Sequence, residues 1–215
     1  MPAERLLHRA SVRALLALLV VAAFFAGAHA QTVEPARELA GPALLAELRA
    51  GGYIIYFRHT STDFGQNDDQ MTGYEDCTKQ RNLTDGGRDE ARAVGEAFRD
   101  LRIPVGDVLA SPFCRTIETA RLMFGRAQAS PAVRGGPPSA EGGRYDALRQ
   151  LLSKRVPPGA NLAIASHGNP FRAVAGGPYL AEGEAAVIEP LDERGFRIVA
   201  RVTKHQWRSL AARGG

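Results

Sequence analysis

The chain is poor in the residues that build metal and redox centres. Of its 215 residues two are cysteine, and no Cys/His spacing suits zinc. It holds one tryptophan, and aromatic residues make up 7%. No apolar run reaches the ~20 residues that a membrane-spanning helix needs; the longest, residues 14–26, has thirteen. Repeats and low-complexity segments are lacking. The formal charge of +4 is scattered, with no Lys/Arg cluster and no interleaving of cations with aromatics, which argues against a nucleic-acid surface.

What is present begins with an N-terminal address. Arg5, Arg9 and Arg13 flank the apolar run, and Ala28-His29-Ala30 offers the small residues that a signal peptidase reads. Residues 1–30 therefore read as a secretory signal peptide, with no stable membrane insertion once it is cleaved, and the mature protein as periplasmic or extracellular; a segment retained uncleaved as an anchor is the alternative. Gln31 rather than Cys follows the cut, which argues against a lipoprotein. Without residues 1–30 the net charge falls to +2, because Arg5, Arg9, Arg13 and Glu4 leave with them. An apolar fraction of 45% suits one hydrophobic core. In an exported protein Cys77 and Cys114 are compatible with one disulfide; two unrelated thiols are the alternative.

Residues 31–51 read as a polar leader and a short helix ended by Gly51-Gly52, and residues 52–210 as the domain proper. YIIYF, residues 53–57, is β-branched and aromatic and reads as a buried strand. Residues 61–83 show no periodicity and carry Asp63, Asp68, Asp69, Glu75 and Asp76; they are either a binding loop or a solvated excursion. Thr84 is a good N-cap for a helix bearing Ala91, Val94, Phe98 and Leu101 on one face. A second strand over 105–110, a helix stopped by Gly125, a helix bearing Tyr145, Leu148 and Leu152, and a third strand over 162–165 follow. Two strands, 185–188 and 196–202, close the chain as a hairpin. This alternation predicts an α/β three-layer sandwich, a mainly parallel sheet flanked by helices.

Ligands of such sheets bind beyond the carboxyl ends of the strands. Arg58 and His59 follow the first strand, Arg115 the second and His167 the third. Guanidinium groups bind tetrahedral oxyanions through paired hydrogen bonds, and imidazole can act as nucleophile or acid/base. Phosphoryl transfer asks for that combination of positioning and positive charge.

With these residues in view, the chain resembles the histidine phosphatase superfamily, in its phosphoglycerate mutase-like branch. Arg58-His59-Thr60 matches the family's R-H-G/T signature. Arg81, Leu83, Thr84, Gly87 and Ala91 match R-x-L-T-x-x-G-x-x-x-A. Ser111-Pro112, Arg115 and Thr119-Ala120 match S-P-x-x-R-x-x-x-T-A, and Ser166-His167-Gly168 matches S-H-G. The resemblance implies hydrolysis of a phosphomonoester through a phosphohistidine on His59, with Arg58, Arg115 and His167 holding the phosphate. It implies no metal, no organic cofactor and a small phosphorylated substrate as partner; oligomeric state stays open.

The chain departs from the family at the proton donor. Glu141 stands in a Gly-rich loop without a flanking match, and Gly168 occupies the place where the acid-phosphatase branch has Asp. Glu184 is the favoured candidate, since it adjoins a strand, and Glu182 the alternative. A Cys77–Cys114 disulfide would pin the loop after His59 beside Arg115. Two rival readings remain: an exported phosphate-ligand binding protein without turnover, and a serine hydrolase using Ser166, Asp192 and His205.

Overall fold

The computed structural model describes residues 37–134 and 143–211, so the signal reading of residues 1–30 and the candidate Glu141 lie outside the described residues. The elements run α1 (Gly41–Ala50), β1 (Ile54–Arg58), α2 (Asp85–Asp100), β2 (Val105–Ala110), α3 (Cys114–Phe124), β3 (Gln128–Ala129), α4 (Asp146–Ser153), β4 (Asn161–Ser166), α5 (Gly168–Ala175), β5 (Ala185–Pro190) and β6 (Phe196–Val202). One sheet holds the strands in the order β3-β2-β4-β1-β5-β6. β3, β2, β4 and β1 are mutually parallel, while β5 pairs antiparallel with both β1 and β6. The sheet is thus mixed, with helices on both faces, as the alternation of elements predicts.

β1 shows why both faces are covered. Ile55 and Phe57 point into a core shared with Leu44 and Leu48 of α1, Val94 and Phe98 of α2 and Trp207; Ile54 and Tyr56 point into a second core with Leu148 and Leu152 of α4 and Phe171 of α5. Successive side chains of a strand alternate sides, so a strand buried on both faces must be apolar throughout. α5 escapes the sequence reading, because its eight residues GNPFRAVA open with a glycine and carry a proline. Pro170 lies in its first turn, where the missing N–H has no helical partner to lose.

Residues 61–83 form a loop closed at its base. Thr62 bridges Leu83, and the Asp63 N–H donates to the Asn82 carbonyl. A Cys77–Cys114 disulfide ties the loop to the first residue of α3. Thr84 caps α2, its Oγ1 accepting the Gly87 N–H at 2.9 Å. A Cβ on Gly87 would lie 2.0 Å from the Ser61 carbonyl oxygen, so only glycine lets α2 approach the chain just past β1 this closely. No described helix is long and apolar enough to cross a membrane.

Candidate active site

Adjacency in the sheet brings the sequence motifs together. β4 lies between β2 and β1, with Ala110 opposite Ala165 and Arg58 opposite Ser166. The three strands therefore end side by side. Just past those ends, His59, Arg115 in the first turn of α3 and His167 at the N-cap of α5 border one cavity of about 330 Å³, together with Arg58. That volume is at the small end for ligand sites. Arg81, Arg134 and Arg144 border it too, and among the described residues Asp68 is the only carboxylate that does.

His59 is 2% exposed, and its Nδ1 lies 2.9 Å from the Thr60 carbonyl oxygen. A carbonyl can only accept, so Nδ1 carries the proton and Nε2 keeps its lone pair. Burial first of all, then Arg115 and Arg58, lower the pKa of the imidazole to about 3 against the partial opposition of the Thr60 carbonyl. Near neutral pH the ring is uncharged. The His167 ring stands 5.6 Å from it, centroid to centroid, with Nε2 2.8 Å from Ser111 Oγ. Burial and the nearby Arg115 hold His167 well below its ordinary pKa as well. Positive charge at the site therefore comes from the arginines.

Arg115 is 5% exposed, and its guanidinium lies over the Phe113 ring at 4.4 Å. Arg58 donates to the Leu180 carbonyl at 2.9 Å, packs against the Tyr179 ring at 5.1 Å and stands 3.5 Å from Glu182. Glu182 also accepts from Thr62 Oγ1 at 2.7 Å and lies 3.9 Å from His59 Nδ1, on the side of the ring turned toward Thr60. Glu184 is engaged elsewhere: it pairs with Arg201 at 2.8 Å and accepts the Ala181 N–H at 2.7 Å. Burial works against its ionisation, but the hydrogen bonds from Arg201 and the Ala181 N–H outweigh it and hold the carboxyl below its usual value. Neither Glu182 nor Glu184 borders the cavity. The serine hydrolase constellation is not assembled. Ser166 is fully buried with Oγ donating to the Val133 carbonyl, Asp192 pairs with Arg155, and His205 is exposed.

The model of the histidine phosphatase superfamily (branch 1) matches residues 54–136, which include Arg58, His59 and Arg115. Over that stretch the chain is similar to the histidine phosphatase superfamily. Among solved structures it is similar to the protein histidine phosphatase SixA complexed with tungstate, at 19% identity and a TM-score of 0.50 over 72% of this chain and 98% of that one. A mycobacterial glucosyl-3-phosphoglycerate phosphatase in complex with inorganic phosphate matches with 15% identity and a TM-score of 0.50, over 72% of this chain and 99% of that one. Among curated protein sequences none matches. At these identities the structural likeness is one of fold.

The additional arginines at the cavity are the part that sequence reading passed over. Arg81 stands in a family motif yet carries no role in the sequence reading, and its guanidinium lies over the Phe64 ring at 5.0 Å. Arg134 has no strand-end position to betray it; it stands after the turn Pro131–Val133, over the Phe113 ring at 5.3 Å. Asp68 lies within a stretch without periodicity, so nothing in the local pattern distinguishes it from the four other acids there.

Proposed function

We propose that the protein hydrolyses phosphomonoesters through a covalent phosphohistidine on His59. The observation that carries this reading is an uncharged, buried imidazole, its Nε2 left unprotonated by the Nδ1–Thr60 hydrogen bond, in one small cavity with Arg58, Arg115 and His167. In the first step Nε2 attacks phosphorus, the ester P–O bond breaks, and the leaving oxygen takes up one proton, which is balanced by the proton that the attacking water releases in the second step. In the second, water attacks phosphorus, the P–N bond breaks, and inorganic phosphate leaves with His59 neutral again. Arg58 and Arg115 neutralise the equatorial oxygens in both transition states, and a bound phosphate dianion favours a proton on His167, whose charge then adds to theirs. Guanidinium groups supply this charge without a metal ion. Glu182 positions: it faces Arg58 and the protonated side of the His59 ring. The tungstate and phosphate held by the two proteins of similar fold are tetrahedral oxyanions, the chemistry that this cavity suits. The disulfide, together with the N-terminal basic and apolar pattern, supports export after removal of residues 1–30, and so an external substrate.

The test is phosphate release from a panel of monoesters by the purified mature protein, with and without a chelator, beside His59→Ala. We expect release that the chelator leaves unchanged and that falls by roughly 10³-fold or more in the variant. Equal release by the variant, or none from any ester, overturns the reading.

A further inference from the structure

Asp68 already occupies the place on Arg115 that a phosphate would take. Arg115 Nη1 and Nη2 donate to Asp68 Oδ1 and Oδ2 at 3.0 and 3.1 Å, fork against fork, and Oδ1 also accepts the Arg81 N–H at 2.9 Å. Nη1 donates besides to the Arg81 carbonyl at 3.2 Å, and among the described residues Nε has no partner. With Arg115 buried, the fork can serve only groups inside the cavity, and a carboxylate fills it.

The chain around Asp68 is built to hold it there and also to let it go. The Thr62–Leu83 bridge and the Cys77–Cys114 disulfide confine the loop, which keeps the carboxylate at a high effective concentration beside Arg115. Within that tether, residues 64–67, 69 and 70 are exposed, so a swing of Asp68 gives up little buried contact.

We propose that Asp68 is a displaceable internal anion, a latch that holds Arg115 until a phosphate group takes its place. The proposal rests on Arg115 as a phosphate clamp. It sets a threshold on occupancy: only a phosphate group that wins the fork from Asp68, helped by contacts elsewhere in the cavity, opens the site. If the latch is closed in about nine molecules of ten, apparent affinity for any phosphate is reduced about tenfold.

Calorimetric titration with inorganic phosphate tests this without relying on turnover. Asp68→Asn keeps the size of the side chain and an acceptor for the Arg81 N–H but removes the charge and the bidentate grip. We expect its Kd for phosphate to be about tenfold lower than that of the unaltered protein, and the gain to vanish when Arg115→Ala is added. Asp68→Ser, checked for folding by circular dichroism, serves if the Asn variant does not fold. Equal or weaker phosphate binding by a folded variant overturns the latch. If the variant binds phosphate more tightly but no ester is hydrolysed, the phosphatase reading falls and the latch stands; if esters are hydrolysed and phosphate affinity is unmoved, only the latch falls.

Discussion

The ring of Tyr179 fills the space that any side chain at Gly168 would need. A Cβ built on Gly168 would lie 2.1 Å from Tyr179 Cε1. The same ring packs against the Arg58 guanidinium, and its hydroxyl donates to Asn169 Oδ1 at 2.9 Å. The glycine that departs from the acid-phosphatase pattern is thus the seat of an aromatic wall of the cavity. Gly168→Ala should expel Tyr179, cost about 1–3 kcal/mol through overpacking and raise KM through the loss of support for Arg58. Urea titration and steady-state kinetics read the two effects; a variant with unchanged stability and KM would show the wall to be dispensable.

Acid should weaken the fold in a defined window. A histidine whose proton affinity is lowered on folding takes up its proton more readily in the unfolded chain. Stability from His59 is therefore complete above the ordinary value of 6.5 and is lost as pH falls from there toward about 3. His167 is lowered in the same direction and adds to the slope. Each histidine contributes up to about 1.4 kcal/mol per pH unit within the window. Urea midpoints between pH 7 and 5 should fall, and less steeply in His59→Ala; equal slopes would contradict the buried neutral imidazole.

The disulfide closes a sequence separation of 37 residues. By loop-closure entropy its removal in Cys77→Ser/Cys114→Ser should cost about 4 kcal/mol. Chemical denaturation of the variant beside the oxidised protein measures this. A loss below about 1 kcal/mol would mean that the Thr62–Leu83 bridge confines the loop unaided.

The two neighbouring glutamates should separate cleanly. Glu184→Gln removes a charged partner from Arg201 and should cost stability, about 1–3 kcal/mol, with KM unmoved. Glu182→Gln should lower kcat about tenfold for nitrophenyl and alkyl phosphates alike, as expected of a group that positions Arg58 and His59; a proton donor matters far more for the poor alkyl leaving group. A selective loss on alkyl esters in either variant would mark that carboxylate as the donor.

Much of the fold was legible because burial on both faces writes itself as continuous apolar strands, as in residues 53–57, and because caps such as Thr84 and stops such as Gly125 act locally. Helix α5 was not legible: its eight residues are too short for a clear period, and its stability comes from Phe171 and Val174 in the core rather than from propensity.

The same division runs through the site. Arg58, His59, Arg115 and His167 could be read as a set from the chain alone, since strand ends in a parallel sheet converge whatever surrounds them. Carboxylate roles could not. Glu182 and Glu184 are two residues apart with equal chemistry, and only their partners distinguish them: Thr62 and Arg58 for one, Arg201 for the other. Asp68 acquires its place from a loop 47 residues upstream of Arg115 and a disulfide across it. Sequence by itself determined which groups stand at the strand ends, because that follows from local pattern and sheet order. Which anion each cation meets was decided only by tertiary structure, because side-chain pairing depends on distances between segments that no local pattern encodes.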